Sequence, residues 1–172
     1  MGERPKRSTA IQKGRHTAEI DGDFVIFTIG MRINRVWKVH KWVPVFRAMR
    51  PMMVTLARNP AKGLLGSRAV LEGRTLWLMQ YWRSFEDLEH FARNPEDPHL
   101  EAWRRFNRAI GDSGDVGIFH ETFKVQAGGY ECLYGNMPRY GLAEAGRSVP
   151  IGGGRSETAR QRMDGPGVDT AV

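Results

Sequence analysis

The side chains best suited to moving a proton lie late in the chain, in Gly117-Ile118-Phe119-His120-Glu121-Thr122-Phe123-Lys124-Val125. A neutral imidazole near pH 7 can take a proton or return it, so His120 is the candidate general base. The more ordinary reading is a hydrogen-bonded sheet histidine, and a third is a noncovalent haem ligand. Glu121 beside it suggests an acid–base pair, yet successive side chains of a regular strand point to opposite faces. Only a bulge would bring the two into one site. The other histidines are His16, His40, His90 and His99. None stands in the i, i+4 pairing that a helical zinc or non-haem iron site would use. His99 follows Pro98 in the first turn of a predicted helix, where positive charge is disfavoured, and is expected to be neutral and structural.

Outward from His120, strand alternation groups the polar side chains that could share its face. Thr28, Gln80, Trp82, His120 and Thr122 form the expected pocket face, leaving the apolar sets to pack under helices. Glu121 would then lie beneath the helices and need a cation such as Arg104 or Arg105. After a glycine turn, Tyr130, Tyr134 and Asn136 belong to an arm that either packs structurally or closes over the pocket as a lid. Tyr134 and Asn136 are the substrate-binding candidates there. Cys132, the single cysteine, has neither an adjacent histidine nor a helix N-terminus to activate it, and it excludes an internal disulfide.

The elements that must position these groups follow from periodicity. Residues 23–31 are β-branched and aromatic on both sides of the pleat, as in a central strand, and Gly30 within them leaves room for either a close neighbour or a bulge. Trp42, Val45, Phe46, Met49, Met52, Met53 and Leu56 recur at helical spacing over Val39 to Arg58, with Pro44 tolerated near the start and Pro51 expected to kink or split the helix. The methionines are either core filler or the adaptable wall of an apolar pocket. Residues 63–71 and 75–83 form a hairpin turned by Glu72-Gly73-Arg74. Ser84 caps a helix over Phe85–Ala92, Asp97-Pro98 starts another, and the His120 stretch is the last long strand.

The order strand, helix, strand, strand, split helix, strand is βαββαβ. It predicts an α+β, ferredoxin-like antiparallel sheet with helices on one face. The other face, expected to carry Phe24, Ile26, Leu76, Leu78 and Ile118, would need a cover, which a homodimer packed sheet to sheet would supply. The expected organisation is a basic flexible segment over 1–21, the α+β domain over 22–126, a C-terminal arm over 127–151 and a flexible tail over 152–172.

The 172 residues, 41% of them hydrophobic and 26% charged, are enough for a globular core. No apolar run approaches the roughly 18 residues of a membrane span, and the polar start does not read as a secretory signal, so a cytoplasmic protein is expected. The net charge of +7 is concentrated: the interval from Phe24 to Leu71 contains no acidic residue. That block is either a solvated face paired with acids of Phe85–Glu101 or a site for an anionic substrate or lipid. Nothing resembling a zinc finger, an RNP motif or a phosphate loop supports a nucleic-acid partner.

Gln80-Tyr81-Trp82-Arg83-Ser84-Phe85-Glu86-Asp87-Leu88 followed by Pro98-His99-Leu100 resembles the dimeric α+β-barrel proteins of monooxygenase type. Trp103-Arg104-Arg105-Phe106-Asn107, residues 117–123, Tyr130-Glu131 and Asn136-Met137-Pro138 add a nearer resemblance, to the family named for a monooxygenase of fumagillin biosynthesis. The resemblance covers about Phe24 to Val149. It implies a homodimeric barrel and a tailoring enzyme of secondary metabolism that oxidises an apolar small molecule. The wider superfamily works without a cofactor or with haem, and the haem-containing aldoxime dehydratases share the barrel. A cofactor-independent oxygenase, a haem enzyme of dehydratase or haem-degrading type, and a noncatalytic ligand-binding barrel therefore all stay open. The resemblance carries no catalytic residue over to this chain.

Overall fold

Ten consecutive residues rich in β-branched and aromatic side chains, Phe24–Ile33, form a strand (β2) that has neighbours on both sides, as their two-sided apolar pattern requires. The computed structural model describes residues 9–152 and 158–163. Within them the chain forms two compact units, one of Val25–Phe123 and one drawn from the segments on either side of it.

In the central unit β2 is followed by helix α1 (Val39–Arg58), strands β3 (Leu64–Glu72) and β4 (Thr75–Trp82), helices α2 (Phe85–Arg93) and α3 (Pro98–Ala109), and strand β5 (Val116–Val125). The sheet order is β3-β4-β2-β5. In the sequence of these four strands that is 2-3-1-4, the ferredoxin-like arrangement expected from βαββαβ. β4 is antiparallel to both β2 and β3. Helix α1 spans the predicted residues and is not split by Pro51. Ser84 caps α2 as expected, its Oγ accepting from the Asp87 N–H at 3.1 Å.

The register decides the faces. Residues directly opposite in an antiparallel pair share a side, and the pairs are Val25 with Trp82, Phe27 with Gln80, Ile29 with Leu78 and Met31 with Leu76. Val25 and Trp82 pack with Leu56, Leu64, Leu88 and Phe91 in one core cluster, and Met31 packs with Ile110 and Val116 in another. The helices therefore cover the side that carries Gln80 and Trp82. Leu76 and Leu78, expected on the open side, belong to the helix side as well. The opposite side carries Gly30, where an added Cβ would lie 2.4 Å from Trp77 Cβ and 2.6 Å from the Phe119 ring. The close neighbour that Gly30 was expected to admit is this pair of aromatic residues.

The flanking unit corrects the expectation for the N-terminal segment. Gln12–Glu19, read as part of a flexible stretch, is strand β1, between β6 (Tyr134–Met137) and β7 (Arg147–Pro150) in a three-stranded sheet. Its alternation is weak because few of its side chains are buried, so periodicity could not reveal it. The unit also holds short helices α4 (Leu142–Ala145) and α5 (Ala159–Met163). The Tyr130 hydroxyl accepts from the Ile20 N–H at 2.7 Å and its ring meets Phe24 edge-on at 5.3 Å. Of the tail expected over 152–172, residues 153–157 and 164–172 lie outside the described residues; Ala159–Met163 is helical. Among the described residues no helix is long and apolar enough to cross a membrane.

Candidate functional site

Between the sheet and the helices of the central unit lies a cavity of about 780 Å³, within the size range of small-molecule sites. Its floor is built from the helix-facing side chains of three strands: Phe27, Ile29 and Met31, then Leu78, Gln80 and Trp82, then Ile118 and His120. Met49, Met52 and Met53 of α1 form part of the opposite wall. They line the cavity and also pack against the two core clusters, so both readings of the methionine stripe describe them.

In this apolar surrounding one polar group is fixed in orientation. The indole N–H of Trp82 can only donate, and it donates to Gln80 Oε1 at 2.9 Å. The amide NH2 of Gln80 is thereby turned the other way, where its one partner among the described residues is the Met53 sulfur at 3.7 Å. A thioether is a weak acceptor, so the amide keeps donor capacity beside the cavity. Gln80 is 5% exposed and Trp82 fully buried.

Three imidazoles line the same cavity: that of His40, exposed in the first turn of α1, and those of His99 and His120. The His120 ring meets Phe27 at a tilt of 39°, with ring centroids 5.8 Å apart, and its nitrogens make no hydrogen bond among the described residues. It is solvent-exposed in part, as most of β5 is. His99, in the first turn of α3, has Nδ1 at 3.2 Å from the Ala92 carbonyl oxygen and its ring 6.3 Å from Phe91. Burial holds this imidazole below its ordinary pKa, against the opposing effect of the Ala92 carbonyl, and charge on His120 pushes it down further. The start of α3 is held by Asp97, whose carboxylate takes a 2.7 Å contact from Lys62 and a 3.1 Å bond from the Asn94 amide.

The structure brings together Gln80, Trp82 and His120 of the sequence candidates. Thr28 is not on the cavity: it lies on the opposite side of the sheet, where its hydroxyl is 3.4 Å from Glu121 Oε2. That contact also corrects the expectation for Glu121, which faces away from the helices and uses a threonine instead of Arg104 or Arg105. The predicted separation of His120 from Glu121 holds. Thr122 shares the pleat side of His120 but does not line the cavity. Tyr134 and Asn136 are positions of β6 in the flanking unit; Tyr134 pairs with His16, and Asn136, in left-handed backbone at φ 52°, accepts from the Gly14 N–H at 3.0 Å. Ile118, expected on the open side, lines the cavity. Like His40, His99 is a cavity residue that sequence reasoning set aside. The signal available was its place in the short Pro98-His99-Leu100 match, without any indication of where the ring would point.

The basic interval finds acids as the solvated-face reading expected, through Lys62 and Asp97. Arg35 and Lys38 instead converge on Asp115, at 2.9 Å each, beyond the predicted acidic segment.

A family model described as monooxygenase af470-like matches residues 24–142. The chain is 31% identical over 145 residues to monooxygenase af470 of Aspergillus fumigatus, a match covering 72% of this chain and 51% of that protein, so the chain spans about half the length of that relative. Among solved structures, an aldoxime dehydratase in complex with butyraldoxime superposes with a TM-score of 0.63 at 17% identity, over 78% of this chain and 39% of that one. A second aldoxime dehydratase structure gives 0.62 at 18% identity, over 78% and 40%. These two likenesses concern the fold.

Proposed function

Because the chain belongs to the monooxygenase af470-like family, we propose that it is an oxidoreductase that binds an apolar small molecule in the cavity of the central unit and oxidises it with molecular oxygen. The observation that carries this reading is the amide of Gln80, locked by Trp82 with its NH2 beside a mostly apolar cavity that the imidazoles of His99 and His120 also line. A donor so placed suits a carbonyl oxygen on which negative charge develops. The imidazoles suit the proton whose departure creates that charge.

The matching substrate carries a methylene acidified by a neighbouring carbonyl. An imidazole of the site, with His120 as the residue first named by the sequence, takes one proton from the methylene. The resulting carbanion is delocalised onto the carbonyl oxygen that Gln80 faces. It combines with dioxygen at the former methylene carbon and regains the proton as a secondary hydroperoxide. That hydroperoxide loses water, its O–O bond breaking as the second C–H electron pair forms a new carbonyl. In sum, one methylene and one dioxygen give one ketone carbonyl and one water. One oxygen atom reaches the product and the other becomes water, and the substrate supplies all the electrons. The apolar walls favour this chemistry by excluding bulk water from the charged intermediate.

A second reading, a haem enzyme, is favoured by the volume of the cavity and its apolar walls with imidazole donors. His99 or His120 would hold the iron, and the haem would supply oxygen or Lewis-acid chemistry. A sheet-to-sheet homodimer also belongs to the proposal, supported by the aromatic Trp77, Phe119 and Phe123 on the side away from the helices, the last 51% exposed. A monomer by light scattering at micromolar concentration counts against the dimer.

Oxygen uptake with a panel of apolar ketones tests the main reading: one dioxygen consumed per ketone oxidised is expected. Tight ligand binding without oxygen uptake would leave a binding protein. A Soret band on purified or haem-titrated protein would select the haem enzyme.

A further inference from the structure

Of the three histidines lining the cavity, His40 stands exposed in the first turn of α1, and the surroundings of the other two, His99 and His120, differ. We infer that His99 is the base that takes the substrate proton, and that His120 passes it between the cavity and solvent; this rests on the proposed proton abstraction in the same cavity.

The argument starts from hydrogen-bonding roles. A backbone carbonyl can only accept, so the contact between His99 Nδ1 and the Ala92 oxygen at 3.2 Å requires the proton on Nδ1. In the neutral ring that leaves Nε2 with a lone pair and no proton, the form in which an imidazole is a base. The ring lines the cavity, with its centroid 6.3 Å from that of Phe91. Its backbone belongs to the first turn of a 12-residue helix, whose N-terminal field opposes a resident positive charge. Burial acts in the same direction. A base in this setting is unprotonated at neutral pH and ready without prior deprotonation.

His120 has the complementary properties. It has no fixed hydrogen-bond partner among the described residues, touches Phe27, and belongs to the exposed stretch of β5. A ring free to choose its tautomer at a solvent-facing position suits proton exchange with water. The other titratable groups lining the cavity are His40, Lys41 and Arg47 from α1, and Glu101 and Arg105 from α3. Lys41 is engaged with the Ala109 carbonyl at 2.7 Å, and Glu101 with Arg105 at 2.9 Å.

The test is exchange of the acidic benzylic C–H of 2-tetralone for deuterium, followed anaerobically by NMR with the full chain. Binding of the probe is measured separately from its shifts of protein resonances. Wild type is expected to accelerate exchange over buffer, with the acid limb of the pH profile below the ordinary histidine range of about 6.5. His99→Gln is expected to bind the probe and lower the accelerated rate by about 100-fold or more, whereas His120→Gln lowers it only where buffer is too dilute to carry protons, and added imidazole restores it. Histidine 15N spectra of wild type are expected to show the Nδ1–H tautomer at His99. Undiminished exchange in His99→Gln, an Nε2–H tautomer, or probe binding without accelerated exchange would overturn the inference while leaving the cavity as a ligand site. Absence of probe binding in wild type would remove the cavity reading and the inference with it. If His99→Gln fails to fold, the wild-type tautomer and acid limb decide.

Discussion

The indole N–H of Trp82 donates to Gln80 Oε1 at 2.9 Å, two residues away on the same side of strand β4. Alternation makes the pair neighbours, and the donor-only indole determines which end of the amide meets the cavity. Trp82→Phe keeps most of the buried ring but removes the donor. It is expected to lower stability by about 1–3 kcal/mol, the range for leaving a buried acceptor unmade, and to weaken binding of a ketone probe, because the amide can then turn over. Urea denaturation and probe titration measure the two effects separately. Gln80→Leu should weaken ketone binding further while leaving the Trp82 indole unpaired.

Gly30 is required by packing on the other side of the sheet, where Trp77 and Phe119 occupy the space a side chain would need. Gly30→Val is expected to cost about 1–3 kcal/mol through overpacking. Thermal melting checks this; an unchanged midpoint would mean that the aromatic pair moves aside freely.

The carboxylate of Asp97 is 3% exposed and its partner Lys62 is 24% exposed. Lys62→Met leaves the carboxylate buried with the Asn94 amide as its remaining side-chain partner. The expected loss is on the order of 2–3 kcal/mol, below that of a fully buried pair because the lysine is partly solvated. Because Asp97 precedes α3, the same variant is expected to shift the His99 ring resonances, which NMR would detect. Lys62→Met with Asp97→Asn should recover part of the stability.

Stability is expected to fall in acid in two stages. His99 has a folded pKa below its unfolded value, so the unfolded chain binds more protons in between. This contribution is fully present above about pH 6.5 and is lost as pH falls through and below that value. Asp115 is held below the usual carboxylate range by Lys38 first and Arg35 second, so its contribution is present above about pH 3.9 and is lost as pH falls through its folded value. Melting temperature against pH should show the upper stage disappear in His99→Gln and the lower one shrink in Asp115→Asn.

Much of the ferredoxin-like unit was legible in the residues. The helical stripe from Trp42 to Leu56, the Ser84 cap and the Glu72-Gly73-Arg74 turn are local signals, and each forms the expected element. Strand β1 escaped because its exposed, charged alternation is indistinguishable from a solvated tail until β6 and β7, more than a hundred residues later, pair with it.

By itself the sequence determined that His120 and Glu121 face opposite ways and that Gln80 and Trp82 face the same way, since both statements depend only on the period of one strand. It could not determine how one strand's parity matches the next. The register places Phe27, not Thr28, opposite Gln80, and so moves the cavity to the helix side and Thr28 to the Glu121 side. That match is set by long-range pairing, where a shift of one residue exchanges the faces. His99 is the same case in three dimensions: its neutrality could be read from its place in a helix turn, but only the packing of α3 on α2 supplied the Ala92 carbonyl and turned the ring to the cavity.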